Sequence, residues 1–359
     1  MFKLATLPAE NGDCLWIEYG EPDDPHRILI DTGTKEAYGP LRKKILSLDT
    51  EHRSFELMIM SHYDNDHILG ALDLFQDDEL GVKFGDIWFN GWAHISTRPK
   101  DELGPEEAEI FSHFIMKKRL PWNVSFSSKA VVLKGESPIS KTLPGGMQIT
   151  LLSPRSDDLK KLKEDWESRL SDHDLEPGFG MEDELPADVL GGDIESPTAD
   201  DVIEWAEKEL KKEPKYTVTS PNLCSIAVLA EYEGKRCFLA ADASSDILLG
   251  SIKSICPNSE RLHVDLFKLS HHGSRNNLKK GLLDNIDCSK YVISTNGKTH
   301  KHPHKEAISK LVLYGKKKPS CLYFNYQTKF NEIWNDESFQ DEFQYKSIYG
   351  EDGFLEINI

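Results

Sequence analysis

The chain has 359 residues, with 43 Lys and Arg against 61 Asp and Glu, and a formal net charge of −18. At 38% hydrophobic and 9% aromatic it can bury a sizeable core, which excludes global disorder. A balance this acidic repels duplex phosphates on average, so it argues against indiscriminate adhesion to nucleic acid or anionic membrane while leaving a locally held phosphate open.

Residues 2–7, 14–19 and 27–31 read as three strands, broken at Asn11-Gly12-Asp13 and at Pro22 and Pro25. The third, RILIDTG, is almost wholly apolar before its Asp, as a strand buried on both faces requires. A helix is predicted at 41–48, a buried strand at 57–60, and a helix at 67–75 with Ile68, Leu72 and Phe75 on one face. Strand signals follow at 86–90, 131–133 and 148–152. The stretch 155–220 then changes character: two charged helix candidates, 157–170 and 199–212, flank an acidic middle rich in Gly and Pro. It reads as a helical insertion or lid within a single domain spanning 1–359. Strands resume at 225–232 and 236–240 around a hairpin signal, Glu233-Gly234-Lys235, and again at 264–269, 291–294 and 322–324, with helices near 278–283 and 305–313. Strand runs at both ends with helices between them predict an α/β protein of two packed sheets flanked by helices.

No run approaches the roughly 20 apolar residues needed to span a bilayer. The first residues carry Glu10 and Asp13 and no cleavable apolar stretch. Six scattered cysteines, Cys14, Cys224, Cys237, Cys256, Cys288 and Cys321, form no CxxC pair, which speaks against a disulfide framework and a cysteine zinc site. A cytoplasmic protein away from membranes is expected.

The sharpest chemical signal is Ser61-His62-Tyr63-Asp64-Asn65-Asp66-His67, where two His and two Asp fall within six residues between an apolar strand and a helix. Such a turn can aim His62 and Asp64 at one centre and Asp66 and His67 at its neighbour, with donors that suit zinc, manganese or iron. Three more apolar strands end in polar residues at what would be the same sheet edge: Asp31, Asp242, and His271-His272. Singly, Asp31 reads as a turn former and Asp242 as a helix cap. Together they resist that explanation.

These segments, NGDCLWIEY, ILIDTG, SHYDNDHILG, LLSP, NLCSIAVLAEYEGKRCFLAADAS, KLSHHGS and ISTNGKTHKHPH, resemble in order the metallo-β-lactamase fold superfamily, in the branch typified by the C-terminal domain of the competence protein ComEC. The resemblance covers most of the chain except 155–220. It implies the αββα sandwich, in which two mixed β-sheets pack between helices, and a site for two divalent ions, zinc or manganese. His62 and Asp64 would bind the first ion, Asp66 and His67 the second, with His272 as the second ion's last ligand and Asp242 bridging. His271 would then face the substrate, and Asp31 would orient the His-Asp loop from behind the ligands. The chain departs from the superfamily's commonest pattern in two places. Asp64 stands where a second His is usual, and Pro221-Asn222-Leu223 where another His is usual, which tilts the first ion toward manganese and leaves Asn222 as a supporting group or ligand.

Two ions about 3.5–4 Å apart can activate a shared water and neutralise charge on a phosphoryl or carbonyl oxygen, with Asp66 holding the nucleophile. His302, ahead of a helix start, is the expected proton source for a leaving alkoxide, in preference to His300 and His304. Ser274 and Asn296 are candidate donors to the substrate, whereas His94 and His113 read as ordinary surface or core residues. The resemblance implies hydrolysis of a phosphodiester, with single-stranded DNA as the specific guess. Against DNA stands the absence of a basic and aromatic strip: Lys279-Lys280 and Lys316-Lys317-Lys318 are the clustered basic runs, and a solvated face explains them equally well. The alternatives are a small substrate (a phosphocholine-type or cyclic diester, a lactone or a thioester) and an effector whose centre is gated by a protein partner bound at 155–220.

Overall fold

Successive side chains of a strand point to opposite faces. In the computed structural model of the chain, Ile28 and Ile30 accordingly enter the core between two sheets, while Leu29 enters a core under helices. All three are buried, as the unbroken apolar run predicted. The described residues are 1–95, 106–135, 138–171, 197–208, 219–258 and 260–359.

The strands that build the two main sheets are, in chain order, β1 (Phe2–Thr6), β2 (Leu15–Glu21), β3 (Asp24–Ile30), β4 (Leu57–Ile59), β5 (Ile87–Trp88), β6 (Ile139–Thr142), β7 (Gln148–Ser153), β8 (Ala227–Tyr232), β9 (Lys235–Leu239), β10 (Leu266–Lys268), β11 (Lys290–Ile293), β12 (Ser320–Phe324), β13 (Tyr345–Tyr349) and β14 (Leu355–Asn358). The first sheet runs β14-β1-β2-β3-β4-β5 and the second β13-β12-β11-β10-β9-β8-β7-β6. Both are mixed. β3, β4 and β5 are parallel to one another, as are β9 to β13, and the remaining neighbours are antiparallel.

Three apolar layers hold this together. Between the sheets Leu4, Ile17, Ile28 and Ile59 meet Leu151, Val228, Leu239 and Val292. Outside the first sheet, Trp16, Leu29 and Met58 are covered by α1 (Tyr38–Leu46), α2 (Asn65–Gln76) and α3 (Glu106–Lys117), with Phe75 and Phe111 stacked at 5.1 Å. Outside the second, Phe238, Phe267 and Tyr291 lie under Leu248 and Ile252 of one helix (Ser245–Ile255) and Ile308 and Leu311 of another (Lys305–Tyr314). The chain is an αββα sandwich, the α/β architecture expected.

The structure differs from the expected elements in places. α3 and strands β6, β13 and β14 had no predicted counterpart. Residues 131–133, apolar enough to read as a strand, form only an isolated bridge from Leu133 to Arg155. Asn90 takes both the N–H and the C=O of Val131 through its side-chain amide, occupying the groups a neighbouring strand would need. Within 155–220, α4 (Ser156–Ser171) and α5 (Ala199–Lys208) are present, and they are not merely superficial: Leu159 and Leu162 join the first sheet's outer core, Val202 the second's. The acidic middle of that stretch lies outside the described residues. Among those described, no helix is long and apolar enough to cross a membrane.

Candidate metal centre

The carboxyl ends of the parallel strands from both sheets converge on one place. Asp31 follows β3, His62 lies shortly past β4, Asp242 past β9, His271 and His272 past β10, and Ser294 past β11. The turns that present them are strained: Asp31, Ala241, His271 and His272 all hold left-handed backbone, with φ of 54°, 45°, 48° and 53°. Each such residue costs on the order of 1–3 kcal/mol, and such costs collect where geometry serves function.

Asp242 divides the site in two. Its Oδ2 lies 3.6 Å from His271 Nε2 and 4.0 Å from His62 Nε2, and His62 Nε2 lies 3.4 Å from Asp64 Oδ2. Its Oδ1 lies 3.6 Å from His67 Nε2 and 3.8 Å from His272 Nε2. Asp66 completes this second set, with Oδ1 3.8 Å from His67 Nε2 and Oδ2 3.4 Å from His272 Nε2. Most of these separations are too long for hydrogen bonds. Two atoms each about 2.1 Å from a tetrahedrally held ion are about 3.4 Å apart, so the spacing suits a cation between them. The buried Nε2 atoms of His62, His67 and His272 and Oδ1 of Asp242 have no hydrogen-bond partner, a costly state that a cation would relieve. The donor set therefore fits bound metal.

The other ring nitrogen of each histidine is fixed from behind, as metal-binding imidazoles require. Asp31 Oδ2 lies 2.8 Å from His67 Nδ1 and accepts from the Ser61 hydroxyl at 2.7 Å, while its Oδ1 accepts from the Ser61 N–H. The same hydroxyl oxygen lies 3.0 Å from His62 Nδ1. His272 Nδ1 lies 2.8 Å from the Ser294 carbonyl oxygen, which obliges that nitrogen to donate and leaves Nε2 its lone pair. His271 Nδ1 lies 3.0 Å from Asn277 Oδ1. Asn277 is held in that orientation because its Nδ2 donates to the Asp242 carbonyl at 3.0 Å.

Burial opposes charge on these groups; at His271 it prevails and pulls the imidazole down, whereas at His67, His272, Asp66 and Asp242 the neighbours overrule it. Burial pulls His67 down, but Asp242, Asp66 and Asp31 lift it well above the usual histidine range. Against the same opposition Asp13 and Asp242 raise His272 to about 9. Burial pushes the Asp242 and Asp66 carboxyls up, and the surrounding imidazoles hold both below the usual range. The site calls for positive charge.

Other sequence candidates find different places. His271 does not stand apart to face a substrate; its Nε2 joins the first set and gives it a second imidazole. Asn222 sits beside His271, Nδ2 3.4 Å from Nδ1, on the side away from Asp242's contact with Nε2. Its place is that of a supporting group. Asp64 precedes α2 without capping it, and Ser244, not Asp242, caps the helix Ser245–Ile255. Ser274 is buried, with its hydroxyl accepting from the Asn276 N–H. Asn296 donates to Glu10 at 2.6 Å and accepts from the Lys298 N–H. Both side chains take part in holding their loops. His302 is buried with its ring 5.1 Å from that of His271 and 6.2 Å from that of His272. His300 is exposed, and His304 accepts from the Arg275 N–H.

Sequence reasoning missed Ser61 and Asn277 as orienting groups, and it missed Asp13. Asp13, His67, Asp242 and His272 offer ligand atoms that all lie within 4.8 Å of one another. The legible signal was Lys268, a charge inside the apolar strand LFKL, which is fully buried and bonded to Asp13.

No family model matches this sequence, and no curated protein does. Among solved structures, the metallo-β-lactamase fold protein YhfI from Bacillus subtilis matches at 11% identity over 99% of both chains, with a TM-score of 0.41. A protein from Parabacteroides distasonis, provisionally named a metal-dependent hydrolase, matches at 12% identity over 97% of this chain and 93% of that one, with a TM-score of 0.36. Likenesses this loose say nothing about activity. The chemistry must come from the site.

Proposed function

We propose that the chain is a metal-dependent hydrolase of phosphodiesters that holds two divalent ions, zinc or manganese. The observation that carries the reading is Asp242, whose two carboxylate oxygens face two separate sets of imidazole and carboxylate donors. Ions held there would acidify a water and neutralise the charge that builds on the attacked oxygen. Asp66 is the partly exposed carboxylate of the second set and accepts the proton of the attacking water. His302 stands next to the first set, its ring 5.1 Å from that of His271, and burial and the surrounding imidazoles hold it well below the usual histidine range, so it would meet a leaving oxygen as a neutral N–H donor.

The lysine runs bear on the size of the substrate. Lys279 pairs with Asp246, Lys280 and Lys316 with Asp284, and Lys317 with Asp287. Cations already matched by carboxylates make a poor track for a long strand. Beside His62 a small cleft of about the size of one water is lined by Tyr63, Phe89, Leu162, Pro221 and Cys224.

The test is hydrolysis of bis(p-nitrophenyl) phosphate, a cyclic dinucleotide and end-labelled single-stranded DNA with Mn²⁺, Zn²⁺ or Mg²⁺, wild type beside Asp66→Asn. The expected result is metal-dependent cleavage of the small diesters, lowered about a hundredfold or more in the variant. No cleavage of any of the three with any of the metals, beside turnover of a lactone or thioester assayed in parallel, would reject the phosphodiester.

A further inference from the structure

The loop Asn11-Gly12-Asp13 between β1 and β2 reaches into the metal centre from the first sheet. A Cβ on Gly12 would lie 1.6 Å from the Asp66 carbonyl oxygen, so only glycine permits the approach. Asn11 Nδ2 donates to Asp66 Oδ2 at 3.4 Å, and the Ser294 hydroxyl donates to the Gly12 carbonyl at 3.2 Å. Asp13 is thereby carried fully inside.

Its two oxygens have different neighbours. Oδ2 accepts from Lys268 Nζ, an ammonium that is itself fully buried at the end of β10. Oδ1 has no hydrogen-bond partner and lies 3.5 Å from His272 Nδ1. That nitrogen already donates to Ser294 O, so Asp13 is not needed to orient the ring. A buried ion pair is weak evidence of a stabilising role, since an apolar pair of the same volume is often as good. Position gives this pair another one. Five carboxylates converge on the centre: Asp13, Asp31, Asp64, Asp66 and Asp242. Among the described residues touching them, Lys268 is the buried ammonium. It leaves a deficit of four charges, the charge of two divalent ions.

We propose that Asp13 is a reserve carboxylate of the second ion's surroundings and that Lys268 is an internal cation restraining it. By holding Oδ2, Lys268 keeps Asp13 from becoming a further ligand and loosens the second position's grip on its ion, leaving room there for substrate. The pair touches the second set through His272 and leaves His62 and His271 alone, so its effect is confined to one position. The inference rests on the metal-centre reading above.

The test is calorimetric titration of the full chain, stripped of metal, with Mn²⁺ and separately with Zn²⁺. Wild type takes up two ions. Asp13→Asn weakens the second about 10- to 100-fold and leaves the first unchanged. Lys268→Met frees Asp13 and tightens the second by about tenfold. Opposite signs are the signature, because a pair that only supports the fold loses from either side. Equal weakening in both variants, or no change in either, overturns the proposal. If Lys268→Met does not fold, the neutral Lys268→Met/Asp13→Asn chain must bind as Asp13→Asn does, and any other affinity refutes the link between them. A wild type that takes up no ion rejects the metal-centre reading itself, so the two failures are distinct.

Discussion

His94 and Asp31 show how the same physics yields opposite results from different neighbours. Asp31 is buried among donors and fixes His67 directly and His62 through Ser61. His94 is partly buried edge-on to the Trp122 ring at 4.5 Å, and burial pulls its imidazole down to about 4. The unfolded chain, titrating near 6.5, then holds the extra proton between those two values. The stability His94 gives is therefore complete above pH 6.5 and is lost as pH falls through 4. His94→Phe keeps a ring against Trp122 and removes the titration. Thermal midpoints between pH 4 and 7.5 should fall less steeply in the variant, by about 1–3 kcal/mol over the range. Parallel curves would show that His94 is solvated in the folded chain.

At the scale of elements, α4 links packing to the site. Leu162 is buried in the outer core of the first sheet and also lines the pocket beside His62. Leu162→Ala should cost about 2–5 kcal/mol, read from denaturation, with the metal content unchanged. A fall in bound metal would instead mean that α4 supports the ligands. The charged sequence of 155–220 hides a few apolar side chains, and among its described residues Leu159, Leu162 and Val202 each reach a core. α3 escaped the sequence reading for a similar reason. Its Ala108, Phe111 and Ile115 make a regular buried stripe, set within a charged and aromatic run.

At the scale of the molecule, the legible part of the site was whatever a single strand delivers. Asp31, His62, Asp242 and the His271-His272 pair could be seen as polar ends of apolar runs, and the sandwich brings those ends together. What sequence could not show was assembly across sheets. Asp13 and Lys268 are 255 positions apart and belong to different sheets, so their bond exists only once the sandwich closes. Ser274 and Asn296 also hold structure, Ser274 by accepting from the Asn276 N–H and Asn296 by donating to Glu10, contacts that a residue type alone does not reveal.

The central claim, that Asp242 joins two ion positions, is tested most directly by counting metal per chain by native mass spectrometry for wild type and Asp242→Asn after saturation with Mn²⁺ or Zn²⁺. The account predicts two ions in wild type and at most one in the variant, with diester hydrolysis lost. A variant that keeps both ions and its rate, or a wild type that never holds more than one, would contradict it.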